Sequence, residues 1–210
     1  VTGVQTCALP ISGFSPTTPV LNAWLLKIAE WIAATPFSVG LHESFYMYAW
    51  IESLHVVTLM LSLGMLLVID LRMLGLWLTS VPASKLAERL DKPMLIGFWI
   101  MVVTGVLLYL GIPIRTTQSL WFRIKVILLV AAFINAWLFR RHMQAAVSSW
   151  DVAPVPPRRT RVAAALSLTL WAGVIMCGRF IAYDWYDCGQ DNSPFVDWAA
   201  GCVAGAGEHG

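Results

Sequence analysis

Charge is scarce in this chain. Its 210 residues include 14 lysines and arginines and 12 aspartates and glutamates, 12% in all, against 58% hydrophobic residues and a mean hydropathy of +0.70. A soluble globular surface is usually built with about 25% charged residues, so this composition excludes one. Familiar chemical motifs are missing too. There is no phosphate-binding loop, no GxSxG elbow, no HExxH, no dinucleotide-binding glycine pattern and no basic stripe suited to nucleic acid. Enzyme chemistry of the soluble kind therefore has no motif to stand on. No CxxC spacing occurs, which removes the ordinary zinc-ligand pattern. The tail beyond Ala182 contains no lysine or arginine at all.

Four long apolar runs are present instead, at Tyr46–Trp77, Met94–Ile112, Leu120–Phe139 and Val162–Ala182. A helix rises 1.5 Å per residue, so about 20 apolar residues cross the roughly 30 Å hydrocarbon core. Short connectors favour neighbouring antiparallel packing. The expected fold is all-α: an integral-membrane up-down four-helix bundle, preceded by an amphipathic interfacial helix. That helix is read at Thr18–Thr35, where Leu21, Trp24, Leu25, Ile28, Trp31 and Ile32 recur at helical spacing around Asn22, Lys27 and Glu30. Lys85–Lys92 reads as a short solvated helix, and Ala153–Arg159 (APVPPRR) as an irregular loop.

Residues 1–11 (VTGVQTCALPI) match a common sequencing-adapter oligonucleotide translated in frame, so they and Cys7 are set aside and the natural start is expected to lie elsewhere. The remaining division is 12–43 as an outer N-terminal segment, 44–185 as the transmembrane domain and 186–210 as an outer tail. Nine of the 14 basic residues lie in two connectors: Arg72, Lys85, Arg89 and Lys92, then Arg140, Arg141, Arg158, Arg159 and Arg161. The positive-inside rule places both connectors in the cytoplasm. Both termini are then periplasmic or extracellular, in the inner membrane of a bacterium. On the oxidising side Cys188 and Cys202 suit a disulfide. Cys177 reads as a small apolar packing residue, and a metal site through His209 has no supporting spacing.

Ionisable groups inside spans are costly, so they carry the functional signal. At 100° per residue Tyr48, Glu52, His55, Ser62 and Asp70 fall within about 80° of arc. That stripe should face the bundle interior. Asp70, followed by Arg72, reads as interfacial and able to snorkel. Arg179 in the last span shares the depth of His55, and Lys125 is preferred over Arg123 because Asn135 lies on its side of the helix. We therefore expect an outer-leaflet polar cluster of Glu52, His55, Arg179 and Lys125. It either locks the helices by charge neutralisation or lines a cavity for an ion, an anionic ligand or a haem propionate. Gly97, Thr104 and Gly105 in the second span, with Gly173 and Cys177 in the fourth, form small-residue faces for close packing. Trp50, Trp77, Trp121, Trp150 and Trp185 are placed as an interfacial belt, and Trp171 within the bundle.

The segments SLHVVTLMLSLGMLLVIDLRMLG (Ser53–Gly75) and LWAGVIMCGRFIAY (Leu170–Tyr183) resemble an uncharacterised bacterial four-span membrane family, a domain of unknown function. His55, Asp70, Arg72, Gly178 and Arg179 carry the match. In layout that family is similar to copper-resistance D and cytochrome b561-like bundles, which implies metal handling or haem b electron transfer. The chain departs from b561-like proteins in having His55 as its single intramembrane histidine. Three readings follow. The leading one is a small accessory or scaffold subunit with a membrane partner or a second copy of itself, rather than a stand-alone enzyme. Another is a haem-binding electron-transfer protein with His55 as one axial ligand, completed by a methionine, by His42 or by another subunit. The last is a metal or small-solute transport component with Glu52, His55 and Asp70 along its path, His55 being the candidate metal ligand.

Overall fold

A computed structural model describes residues 20–44, 46–146, 151, 153, 155–183, 186, 188 and 191–202. Its regular elements are helices: α1 (Val20–Ala33), α2 (Pro36–Glu43), α3 (Met47–Leu74), α4 (Ala83–Gly111), α5 (Pro113–Thr117), α6 (Leu120–Ala146), α7 (Arg158–Ile181) and α8 (Pro194–Ala200). α3, α4, α6 and α7 are long and apolar enough to cross a membrane, and together they form the up-down bundle of a multi-pass membrane protein. The helical form is forced, since lipid offers no partner for backbone N–H and C=O groups.

α4 packs on α3, α3 on α7 and α7 on α6, while α4 and α6 stand apart. The bundle therefore has three closed sides and one open one. Three glycines of α4 give close contact with α3, Gly111 meeting the Tyr48 ring. A Cβ at Gly97 would run into the Ser62 hydroxyl, and one at Gly105 would meet His55 Cε1 at 3.3 Å. The apolar cluster of Ile69, Met73, Ala83 and Ala164 lies where α3 and α7 meet the start of α4. Elsewhere apolar side chains point outward, as with Met60 (69% exposed), Ile127 (68%) and Phe133 (67%). That is expected of a lipid-facing surface.

Two ends can be distinguished. The Arg72 end carries the α3–α4 and α6–α7 connectors. The opposite, His55 end carries α1, α2, α5 and α8. There α1 lies on α5 and buries Asn22, Leu26 and Ala29, leaving Trp24 and Trp31 exposed. Thr35 caps α2 by accepting from the Ser38 amide at 3.3 Å, and Ser38 donates to the Leu110 carbonyl at 2.6 Å. Cys188 and Cys202 are joined by a disulfide, with Cα atoms 5.3 Å apart.

Several boundaries differ from the sequence reading. Lys85–Lys92 and the second span are one helix, α4, running unbroken through Pro93. Proline forfeits one backbone bond, but a helix held by packing continues past it. α7 begins at Arg158, inside the stretch read as loop, directly after Pro157. Trp121, at the start of α6, packs against Phe180 and Tyr186, with ring centroids at 4.5 and 6.2 Å. Trp50 and Trp77 are exposed, 73% and 53%. Trp171 meets Phe98 edge-on at 6.2 Å inside the bundle. Trp150, Trp185 and His209 lie outside the described residues.

Candidate functional site

The inward stripe of α3 is real over most of its length. His55 is half-buried, and Thr58, Ser62 and Asp70 are buried at 7%, 2% and 5% exposure. Fifteen residues separate His55 from Asp70, about 22 Å along the axis, so the stripe holds two distinct polar stations.

At the first station His55 Nδ1 lies 2.9 Å from the Thr104 hydroxyl on α4. That hydroxyl donates to the Ile100 carbonyl at 2.8 Å, so it accepts from the ring. The network thus assigns the imidazole proton to Nδ1 and leaves Nε2 as the acceptor. Lys125 of α6 reaches across to α7, where a Cβ at Gly178 would stand 3.5 Å from its Nζ.

Glu52 and Arg179 do not turn inward. Both are exposed. Arg179 donates to the Tyr183 hydroxyl at 3.0 Å and lies over that ring, 5.2 Å from its centroid. No ion pair joins it to Glu52. Arg123 turns the other way, donating to Asn22 Oδ1 at 3.0 Å. Of the four residues grouped from sequence, His55 and Lys125 are half-buried against α4 and α7 respectively, while Glu52 and Arg179 stay at the periphery.

The donor set around His55 does not fit a metal ion, because the polar partner of its ring is the Thr104 hydroxyl. Among the described residues no three of histidine, cysteine, aspartate and glutamate converge as ligands. Nor does it fit haem held between two histidines, since His42 is exposed on α2 and the His55 ring is packed against Gly105. The side chain of His142 lies outside the described residues.

The second station is a cavity of about 480 Å³ at the Arg72 end, opening where α4 and α6 part. Asp70 from α3, Asn135 from α6 and Ser167 from α7 supply its inner polar groups, and Glu88, Asp91 and Arg140 stand among its lining residues. Arg140 and Asp91 pair across the gap from α6 to α4. Asn135 donates to the Ala163 carbonyl at 3.1 Å. Ser167 lines the same cavity as Asp70, and Asp70 Oδ2 is buried with no hydrogen-bond partner. Between the stations Thr58 donates to the Leu54 carbonyl at 2.8 Å, and the buried Ser62 hydroxyl has no partner.

Arg72 does not neutralise Asp70. It is fully buried, with Nε donating to the Val81 carbonyl at 2.8 Å and Nη2 to the carbonyls of Asp151 and Ala153 at 3.3 and 3.2 Å. The snorkelling expected of the Asp70–Arg72 pair is therefore wrong: both side chains turn inward, one to a cavity and the other to loop carbonyls. The sequence signal for Asp70 was the stripe itself. Asn135 was visible only as a polar group deep in a span, and Ser167 gave no signal.

No curated protein and no solved structure matches the chain. A family model does match, over residues 30–184, an interval that holds all four long helices and both polar stations. The chain belongs to the Family of unknown function (DUF6644).

Proposed function

We propose that this protein is a multi-pass component of a bacterial inner membrane that holds a small solute in the cleft between α4 and α6, as part of a transport or solute-handling system. The observation that carries this reading is the roughly 480 Å³ cavity lined by Asp70, a buried carboxylate whose Oδ2 has no partner. Small-molecule sites occupy about 300–1,000 Å³, are mostly apolar and carry few polar groups. An ionisable side chain retained at membrane depth marks a solute or ion path. A purely structural bundle gains nothing from leaving one of its four sides unpacked.

Orientation follows from charge and redox chemistry. Nine of 14 basic residues cluster at the Arg72 end, which supports a cytoplasmic placement for it. The Cys188–Cys202 disulfide lies at the other end, as an oxidising exterior favours. The cavity then opens toward the cytoplasmic leaflet, and α1 with its exposed tryptophans rests on the outer one.

Entry of solute is tested by placing a thiol on the cavity wall. Ser167→Cys, in a Cys177→Ala background, should be modified by methyl methanethiosulfonate, as read by intact mass. Bridging the mouth through Asp91→Cys and Arg140→Cys should slow that modification at least tenfold. An inert thiol at 167, beside ready labelling of Lys85→Cys at the same end, would overturn the reading.

A further inference from the structure

The chemistry of the cavity narrows the solute to one class, an inference that rests on the solute-binding reading above. Three acidic residues, Asp70, Glu88 and Asp91, line it against one basic residue, Arg140. Arg140 is already paired with Asp91. Arg72, the next cation along α3, gives Nε and Nη2 to the carbonyls of Val81, Asp151 and Ala153, its Nη1 is buried without a partner, and no ion pair joins it to Asp70. Asp70 thus has no ion-pair partner among the described residues, and its Oδ2 accepts nothing. At 5% exposure water does not solvate it as it would a surface carboxylate.

A buried carboxylate without a counter-charge is unfavourable by several kcal/mol, and a cation brought to it removes much of that penalty. An anion would meet two uncompensated acidic groups. A bare divalent metal would need several oxygen ligands, while the remaining lining, including Leu66, Met73, Met94 and Phe139, is apolar. One positive charge on an apolar body satisfies both features.

We propose that the cavity binds a small organic monocation, a primary or substituted ammonium whose charged head pairs with the Asp70 carboxylate while its hydrocarbon part lies against Leu66, Met73, Met94 and Phe139. Ser167 and Asn135 supply the other polar groups of the lining beside the head. The ammonium group can come from a free amine or from an ethanolamine lipid headgroup at the membrane surface, and the same chemistry serves both.

The test uses the full chain in dodecylmaltoside, a detergent without an ammonium group, with benzylammonium as probe and benzyl alcohol as its neutral counterpart. Calorimetry or saturation-transfer NMR should show benzylammonium binding at least tenfold tighter than benzyl alcohol. Asp70→Asn should abolish that preference and Asp70→Glu should keep part of it. Phosphatidylethanolamine that displaces the probe where phosphatidylglycerol does not would identify the lipid as the source; displacement by neither identifies a free amine. Equal binding of cation and alcohol to the unmodified protein would overturn the inference and leave the solute-binding reading standing. Absence of binding by both, with Ser167→Cys still labelled, would also overturn it. A silent thiol at 167 would remove both.

Discussion

Asp151 shows how much one distant residue contributes at the start of a helix. Its carboxylate accepts from the Ser84 amide at 2.7 Å and the Ser84 hydroxyl at 2.6 Å, and its carbonyl accepts from the Ala83 amide at 3.2 Å. It therefore caps α4 from the α6–α7 connector, a service that Pro82, lacking a side-chain acceptor, does not perform. Burial raises the Asp151 carboxyl, but the Ser84 bonds, the Arg72 charge and the Ala83 amide outweigh it and hold it below the ordinary aspartate value. The sign follows: the folded state binds this proton less readily than the unfolded chain. The cap therefore contributes fully above about pH 4 and is lost as pH falls further, through the folded value. Asp151→Ala should cost about 1 kcal/mol, read as a lower melting temperature in detergent at pH 7. The difference from the unmodified protein should shrink on acidification below about pH 4. None of this was legible in the sequence, where Asp151 and Ser84 are 67 positions apart and share no pattern.

At the level of single helices the sequence was far more informative, because an apolar run of spanning length has few alternatives. The spans that became α3, α4, α6 and α7 were legible from run length alone, and the inward face of α3 from the spacing of His55, Ser62 and Asp70. The small-residue notches were legible too, and they have a use: Gly97 admits Ser62, and Gly105 admits His55. Gly97→Ala should push α3 from α4 and cost about 1–3 kcal/mol. Combining it with Ser62→Ala should return most of that loss, and a thermal-stability double-mutant cycle reads the coupling. Glu52 marks where periodicity stops being enough. It lies on the stripe yet is exposed, whereas Tyr48 a turn before it meets Gly111 of α4. An arc on a wheel does not say which of its positions a neighbour covers. The parting of α4 from α6 was hidden for a related reason, since helices apolar on every side give no signal of which faces meet.

For the molecule as a whole, the His55 end is fastened more heavily than hydropathy suggests. α1 sits on α5, Arg123 reaches Asn22, the Cys188 sulfur lies 3.4 Å from the Gln118 carbonyl, and the disulfide closes the tail over this assembly. Cys188 and Cys202 are 14 positions apart, and a loop of that size is worth roughly 3 kcal/mol of stability. Cys188→Ser with Cys202→Ser should lower the melting temperature accordingly. A membrane-impermeant reductant added to intact cells should open the bond, and protection from it would reverse the assigned orientation.

The seam between α4 and α6 is spanned by side chains at two places, the Asp91–Arg140 pair and the Tyr109–Phe122 stack at 5.7 Å. The α3–α4 and α6–α7 hairpins are otherwise joined mainly through α3 and α7, like two covers on a common spine. Widening the seam unzips no packed core, so on the proposed solute-binding reading a guest dissolved among the acyl chains has a sideways entrance and need never pass through water to arrive.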